Sequence, residues 1–168
     1  MITVFGAKGS IKDVDVFLKQ MQGFSKKNNV VVQVFDAGVI YGKNHLISAV
    51  DHAIRAFERE TNTTNSLDKE ILLYASGERQ IKLAIPKMGI KKNGKNAAFV
   101  FVSNKKSHDA LIDEFLKMIS LKREDTVLEG NAEKLRKFGI KEKELETVTK
   151  AKYGDLILEK IAMVDIIK

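Results

Sequence analysis

Residues 76–80 read Ser76-Gly77-Glu78-Arg79-Gln80, a hydroxyl and a bare backbone step followed at once by three long polar side chains. An apolar run, "EILLYA" at 70–75, leads straight into it. Read as strand, tight step and helix, the stretch makes Ser76 the N-cap and leaves first-turn N–H groups unpaired. Such a helix start attracts phosphate, carboxylate or ribose oxygens, and Arg79 adds a planar fork that binds phosphate or stacks on a base. The same letters also describe an ordinary capped helix with exposed polar residues.

A second set of polar residues recurs upstream. His45, Ser48, His52, Arg55 and Arg59 follow one another at three- and four-residue steps, so a helix from Asn44 to about Glu60 carries them on one side. Lys91, Lys92 and Lys95 cluster in the turn "KKNGKN". Together these cations could extend a phosphate track from Arg79.

Catalytic patterns are missing. "GAKGS" at 6–10 lacks the glycine and lysine spacing with which a backbone loop wraps a nucleotide phosphate. His45 and His52 have no nearby third ligand, which makes a poor metal site. Ser48, Asp51 and His52 are not preceded by a strained nucleophile turn. With no cysteine, disulfides, thiolate zinc sites and cysteine nucleophiles are excluded. The expectation is a protein with no catalytic residues, no metal and no cofactor.

The elements that must position these residues follow from periodicity. Strands are expected at "ITVFG", at "VVVQVFD" as a central strand, at "EILLYA" and at "AAFVFVS". Helices are expected over "DVDVFLKQMQGF", ended near Gly23, over 44–60 with Leu46, Ile47, Val50, Ile54 and Phe57 inward, and from Gly77 to Met88, ended by Gly89. Pro86 should kink that last helix or change its final turn. "SHDALIDEFLKMI" should turn Leu111, Phe115, Met118 and Ile119 inward, and "AEKLRKFGI" should stop at Gly139. Strands and helices without strict alternation argue for an α+β fold, a two-layer sandwich of helices on a small, mostly antiparallel sheet. At 168 residues and 44% hydrophobic, the chain suits a single domain spanning 1–168. Twenty-nine Lys and Arg against 22 Asp and Glu, a formal +7, suit a phosphate-rich partner, although lysine also serves solubility. Neither a membrane span nor a signal peptide is legible, so a cytoplasmic protein is expected.

The closing helix, from about Tyr153, has one stripe of Leu156, Ile157, Ile161 and Val164. Leu158, Met163, Ile166 and Ile167 leave a second side apolar as well. One side can face a sheet, and the other calls for a partner unless the helix is buried all round.

"EILLYASGERQIKLAIPKMGI", with an apolar strand after it, resembles archaeal-type members of the TPRKB family, the small kinase-binding subunit of the KEOPS complex. There an "ASG-x-RQI" step opens the corresponding helix. The resemblance continues in "YGKNHLISAVDHAIRAF" and "ILEKIAMVDIIK", and elsewhere holds in outline only. It implies a non-catalytic subunit in threonylcarbamoyladenosine modification of tRNA. Such a subunit binds the KEOPS kinase/ATPase and, in archaeal-type members, captures the single-stranded 3′ CCA end of tRNA. On that resemblance Ser76, Gly77, Arg79 and Gln80 are the first RNA-binding candidates, extended by His45, His52, Arg55, Arg59, Lys91, Lys92 and Lys95. Leu158, Ala162, Met163 and Ile166 become the kinase contacts.

Overall fold

The computed structural model describes residues 1–167. In chain order these form β1 (Ile2–Lys8), α1 (Val14–Asn28), β2 (Val31–Asp36), α2 (Gly42–Glu58), α3 (Leu67–Ser76) and α4 (Ile81–Met88). They continue through β3 (Asn96–Val102), α5 (Asp109–Ile119), β4 (Lys122–Arg123), α6 (Ala132–Phe138), α7 (Glu142–Leu145) and α8 (Tyr153–Ile167). The sheet has the order β2-β3-β1-β4 and every pairing is antiparallel. The α+β sandwich with an antiparallel sheet expected from the sequence forms, but helices cover both faces of the sheet, so the layers number three rather than two.

β3 shows why an unbroken apolar run becomes a strand here. Successive side chains leave opposite faces, and both faces are covered, so every position from Ala97 to Val102 is apolar. Ala97, Phe99 and Phe101 join one core under α1 and α5, while Ala98 and Val100 join another beneath α2, α3 and α8. On the first face Phe5 stacks on Phe99 at 5.2 Å, and Phe115 meets Phe101 edge-on at 5.4 Å. On the second, α2 buries Ala49, Ala53 and Ala56, small residues that allow a close approach to α3.

Four expectations are corrected by tertiary context. "EILLYA" is helix, not strand: α3 is enclosed so completely that Glu70–Ser76 are all buried, and no polar face marks the helical period. Within its first turn Glu70 ties down the preceding loop, its carboxylate accepting from the amides of Thr63 and Thr64 at 2.8–3.1 Å. β2 lies at a sheet edge, with helices supplying the cover that makes it read as central. α1 runs through Gly23 to Asn28 because Phe24 is still needed in the core, and Asn29, at φ 50°, ends it in the left-handed region. α4 begins only at Ile81 and continues past Pro86 to Met88, closing with the N–H of Gly89 on the carbonyl of Ile85 at 2.7 Å.

Smaller departures concern which side chains face in. Ile47 and Met118 are exposed, and Ile112 and Leu116 take the inward places in α5. The short helix does stop at Gly139, with Asn131 capping its start by accepting from the N–H of Lys134. Among the described residues no helix is long and apolar enough to cross a membrane.

Candidate nucleic-acid and partner surfaces

The Ser76-Gly77 step is the end of a helix rather than the start of one. Gly77 closes α3 at φ 69°, its N–H donating to the carbonyl of Tyr74 at 3.1 Å while Glu78 N–H reaches Leu73 at 3.2 Å. Ser76 turns inward. Its hydroxyl donates to the Leu73 carbonyl at 2.9 Å and accepts from Glu78 N–H at 3.2 Å, so it is a fully buried clasp and not an N-cap open to ligand. The N-cap of α4 is Gln80, whose side chain makes no capping bond. Arg79 and Gln80 are exposed, and the Arg79 guanidinium donates to the carbonyl of Ile167 in α8.

His45 is also withdrawn from the surface. Tyr41 N–H donates to its Nδ1 at 3.1 Å, which leaves Nε2 to donate to the carbonyl of Ala75 at 2.8 Å. Burial lowers its pKa to about 4. The ring is therefore a neutral tie between the start of α2 and the end of α3, next to the Ser76-Gly77 step.

His52, expected on the same exposed face, pairs with α8. Its Nδ1 lies 2.7 Å from Asp165, its ring stacks on Tyr74 at 5.4 Å, and the Tyr74 hydroxyl donates to the same carboxylate. Burial, with Asp165 alongside, raises the Tyr74 pKa, so the phenol stays a proton donor. Arg55 and Arg59 remain exposed on α2. Lys91, Lys92 and Lys95 are exposed too, with Lys91 3.6 Å from Asp36. That turn follows the far end of α4, a helix of 8 residues about 12 Å long at 1.5 Å per residue, whereas Arg79 precedes its start.

The fold brings together residues the sequence did not single out. Beside Gly77 lies an open basin of about 480 Å³, lined by Glu78, Lys87, Lys137, Phe138, Gly139 and Lys160. Lys87 Nζ stands 4.0 Å above the Phe138 ring and 3.3 Å from Glu78, and burial lowers its pKa. Lys160 pairs with Glu144 at 3.0 Å and Lys137 with Glu133 at 3.3 Å. The lysines come from α4, α6 and α8, so no local spacing could have announced them.

α8 divides as the two apolar sides suggested. Ile161 and Val164 are fully buried and Leu156 and Ile157 nearly so, while Leu158 is half-buried. Ala162, Met163, Ile166 and Ile167 face outward, with Ile166 75% exposed. No group of three or more His, Cys, Asp or Glu is placed to hold a metal among the described residues.

A family model described as "Kinase binding protein CGI-121" matches residues 10–165. No curated protein matches the chain.

Proposed function

The chain belongs to the CGI-121 family of kinase-binding proteins, the TPRKB family of the motif resemblance, and we propose that it is a non-catalytic subunit through which a KEOPS complex engages its kinase/ATPase and recruits tRNA. The observation that carries the kinase half is the outer side of α8. Met163 at 40%, Ile166 at 75% and Ile167 at 39% exposure stand together on a helix whose other side is already committed to the core. Contiguous exposed apolar surface of this kind is removed from water when a partner covers it. Leu158, Ala162, Met163 and Ile166 are the proposed contacts. Co-purification with the KEOPS kinase tests the assignment: Met163→Arg and Ile166→Arg should each abolish it, and retention by both variants overturns it.

The tRNA half rests on a different surface. Single-stranded RNA ends offer phosphates and unstacked base faces, which Arg forks and lysine clusters suit. Arg79 and Gln80, with the basin of Lys87, Lys137 and Lys160 beside Gly77, form the proposed receptor for the 3′ CCA. Arg55 and Arg59, and at the far end of α4 Lys91, Lys92 and Lys95, extend it as phosphate contacts. Ser76 and His45 shape the step from beneath, and His52 holds α8.

The burial of Ser76 and His45 favours a second reading, an adaptor that binds the kinase without specific RNA recognition. Binding of the purified chain to one tRNA with and without its CCA, at two salt concentrations, separates the two. CCA-dependent binding supports the first. Equal binding of both forms, removed by salt, leaves only a nonspecific basic surface.

A further inference from the structure

A cleft of about 210 Å³ lies at the β2 edge of the sheet, and none of its lining residues is among those assigned above, although Ile81 and Ile90 adjoin Gln80 and Lys91. Its walls are Leu18 and Met21 of α1 on one side, with Leu72 of α3 and Ile81 and Ile85 of α4 on the other. Ile85 is 52% exposed although apolar. No residue of α8 lines the cleft, so the inference stands apart from the kinase reading.

Of β2, Gln33 and Val34 line the cleft, and the direction of the backbone groups along this edge, Val32 included, can be read from the strand register. Met1 and Ser103 exchange bonds across β1 and β3, the ammonium to the Ser103 carbonyl at 2.6 Å and the Ser103 N–H to the Met1 carbonyl at 3.1 Å. In an antiparallel ladder the direction alternates, so Phe101 and Phe99 turn their polar groups to β1, and Val102, Val100 and Ala98 turn theirs to β2. The β2 residues opposite the latter are Val31, Gln33 and Phe35. The N–H and C=O groups of Val32 and Val34 consequently point away from the sheet. Val30, of the same parity, has its outward N–H and C=O taken by Ser25. Among the described residues, none makes a corresponding hydrogen bond to Val32 or Val34 on this side. Both are buried, at 3% and 4% exposure, where unpaired backbone groups are costly.

Charge completes the picture. Lys69 lines the cleft, and Lys19, Lys26 and Lys82 adjoin or lie one turn from lining residues of α1 and α4. None of these four has a carboxylate within 4.0 Å among the described residues, while Asp68 lines the cleft and Asp13 and Asp15 flank its Val14.

We propose that this cleft receives an extended segment of a partner chain as a fifth strand beside β2, with apolar side chains at alternate positions and acidic residues at its ends. An extended backbone is the one occupant that supplies donors and acceptors at the two-residue repeat of Val32 and Val34. A second copy of this chain would bring its own helices against the walls of α1, α3 and α4, which an isolated segment avoids.

The test is to pan a phage-displayed random library of peptides of about twelve residues on the full chain, then titrate the recovered peptides as synthetic versions. The expected winners alternate apolar residues and carry Asp or Glu at their ends. Their affinity should fall about tenfold or more on Ile85→Asp, and less on Lys69→Glu. N-methylation of alternate backbone amides should abolish binding, and amide exchange at Val32 and Val34 should slow in the complex. The proposal is overturned if no sequence is enriched, if binding survives Ile85→Asp, or if exchange at both valines is unchanged.

Discussion

The imidazole of His45 donates through Nε2 to the carbonyl of Ala75 at 2.8 Å, a bond that ties the start of α2 to the end of α3 beside the Ser76-Gly77 step. His45→Ala leaves the Ala75 carbonyl and the Tyr41 N–H unpaired in a buried site. The expected loss is about 2–4 kcal/mol, read by urea unfolding at neutral pH.

The same residue sets a pH dependence. Its folded pKa, about 4, lies below the unfolded value near 6.5, so the unfolded chain binds the extra proton between them. Stability from this group is full above about pH 6.5 and declines as pH falls towards 4, by up to about 3 kcal/mol. Comparison of the wild type with His45→Gln should show the wild type losing more stability between pH 7 and pH 4.5. Parallel losses in the two proteins would assign the acid sensitivity to other groups.

Gly77 is constrained by backbone rather than by space. A Cβ there would meet Phe138 at 3.5 Å and Lys160 at 3.7 Å, ordinary contacts, but φ is 69°. Gly77→Ala should cost about 1 kcal/mol and Gly77→Asn less, since Asn tolerates the left-handed region. Thermal melts of the two variants rank them.

The inner and outer sides of α8 should respond in opposite ways. Ile161→Ala, at a position with no exposure, should cost about 2–4 kcal/mol in denaturant unfolding. Ile166→Arg should change stability by no more than about 0.5 kcal/mol while removing kinase binding. A large stability loss from Ile166→Arg would mean that the outer side also supports the fold.

His52, Tyr74 and Asp165 meet at the junction of α2, α3 and α8. Because Asp165 serves both partners, Tyr74→Phe and Asp165→Asn should be non-additive by about 0.5–2 kcal/mol in a double-mutant cycle. Additive losses would show that the two bonds act independently.

Arg79→Ala should leave the melting temperature within a few degrees of wild type, since the side chain is exposed, and should weaken CCA-dependent tRNA binding about tenfold at fixed salt. Unchanged affinity would remove Arg79 from the proposed receptor.

The sequence alone determined the elements whose period or punctuation is local. β3 was legible because a strand covered on both faces must be apolar at every step. α8 was legible because Leu156, Ile157, Ile161 and Val164 share one side at helical spacing, and the stop of α6 because Gly139 takes a conformation that other residues resist. The same spacing set Met163, Ile166 and Ile167 off the buried stripe, but whether they met solvent or more of the fold, as the residues of α3 do, was left to the tertiary structure.

Tertiary structure decided the rest. "EILLYA" carries no polar face because α2, α4, α8 and the sheet surround it, and without that face an apolar run reads as strand or helix equally well. That single ambiguity moved Ser76 from an exposed cap to a buried clasp. His45 and His52 repeat at helical spacing like surface residues, yet one is enclosed by the end of α3 and the other paired by α8, contacts 30 and 113 residues away in the chain. The lysines of the basin converge from three helices. Local spacing records which residues share a side of one helix, whereas burial and pairing depend on what the remote chain lays against it.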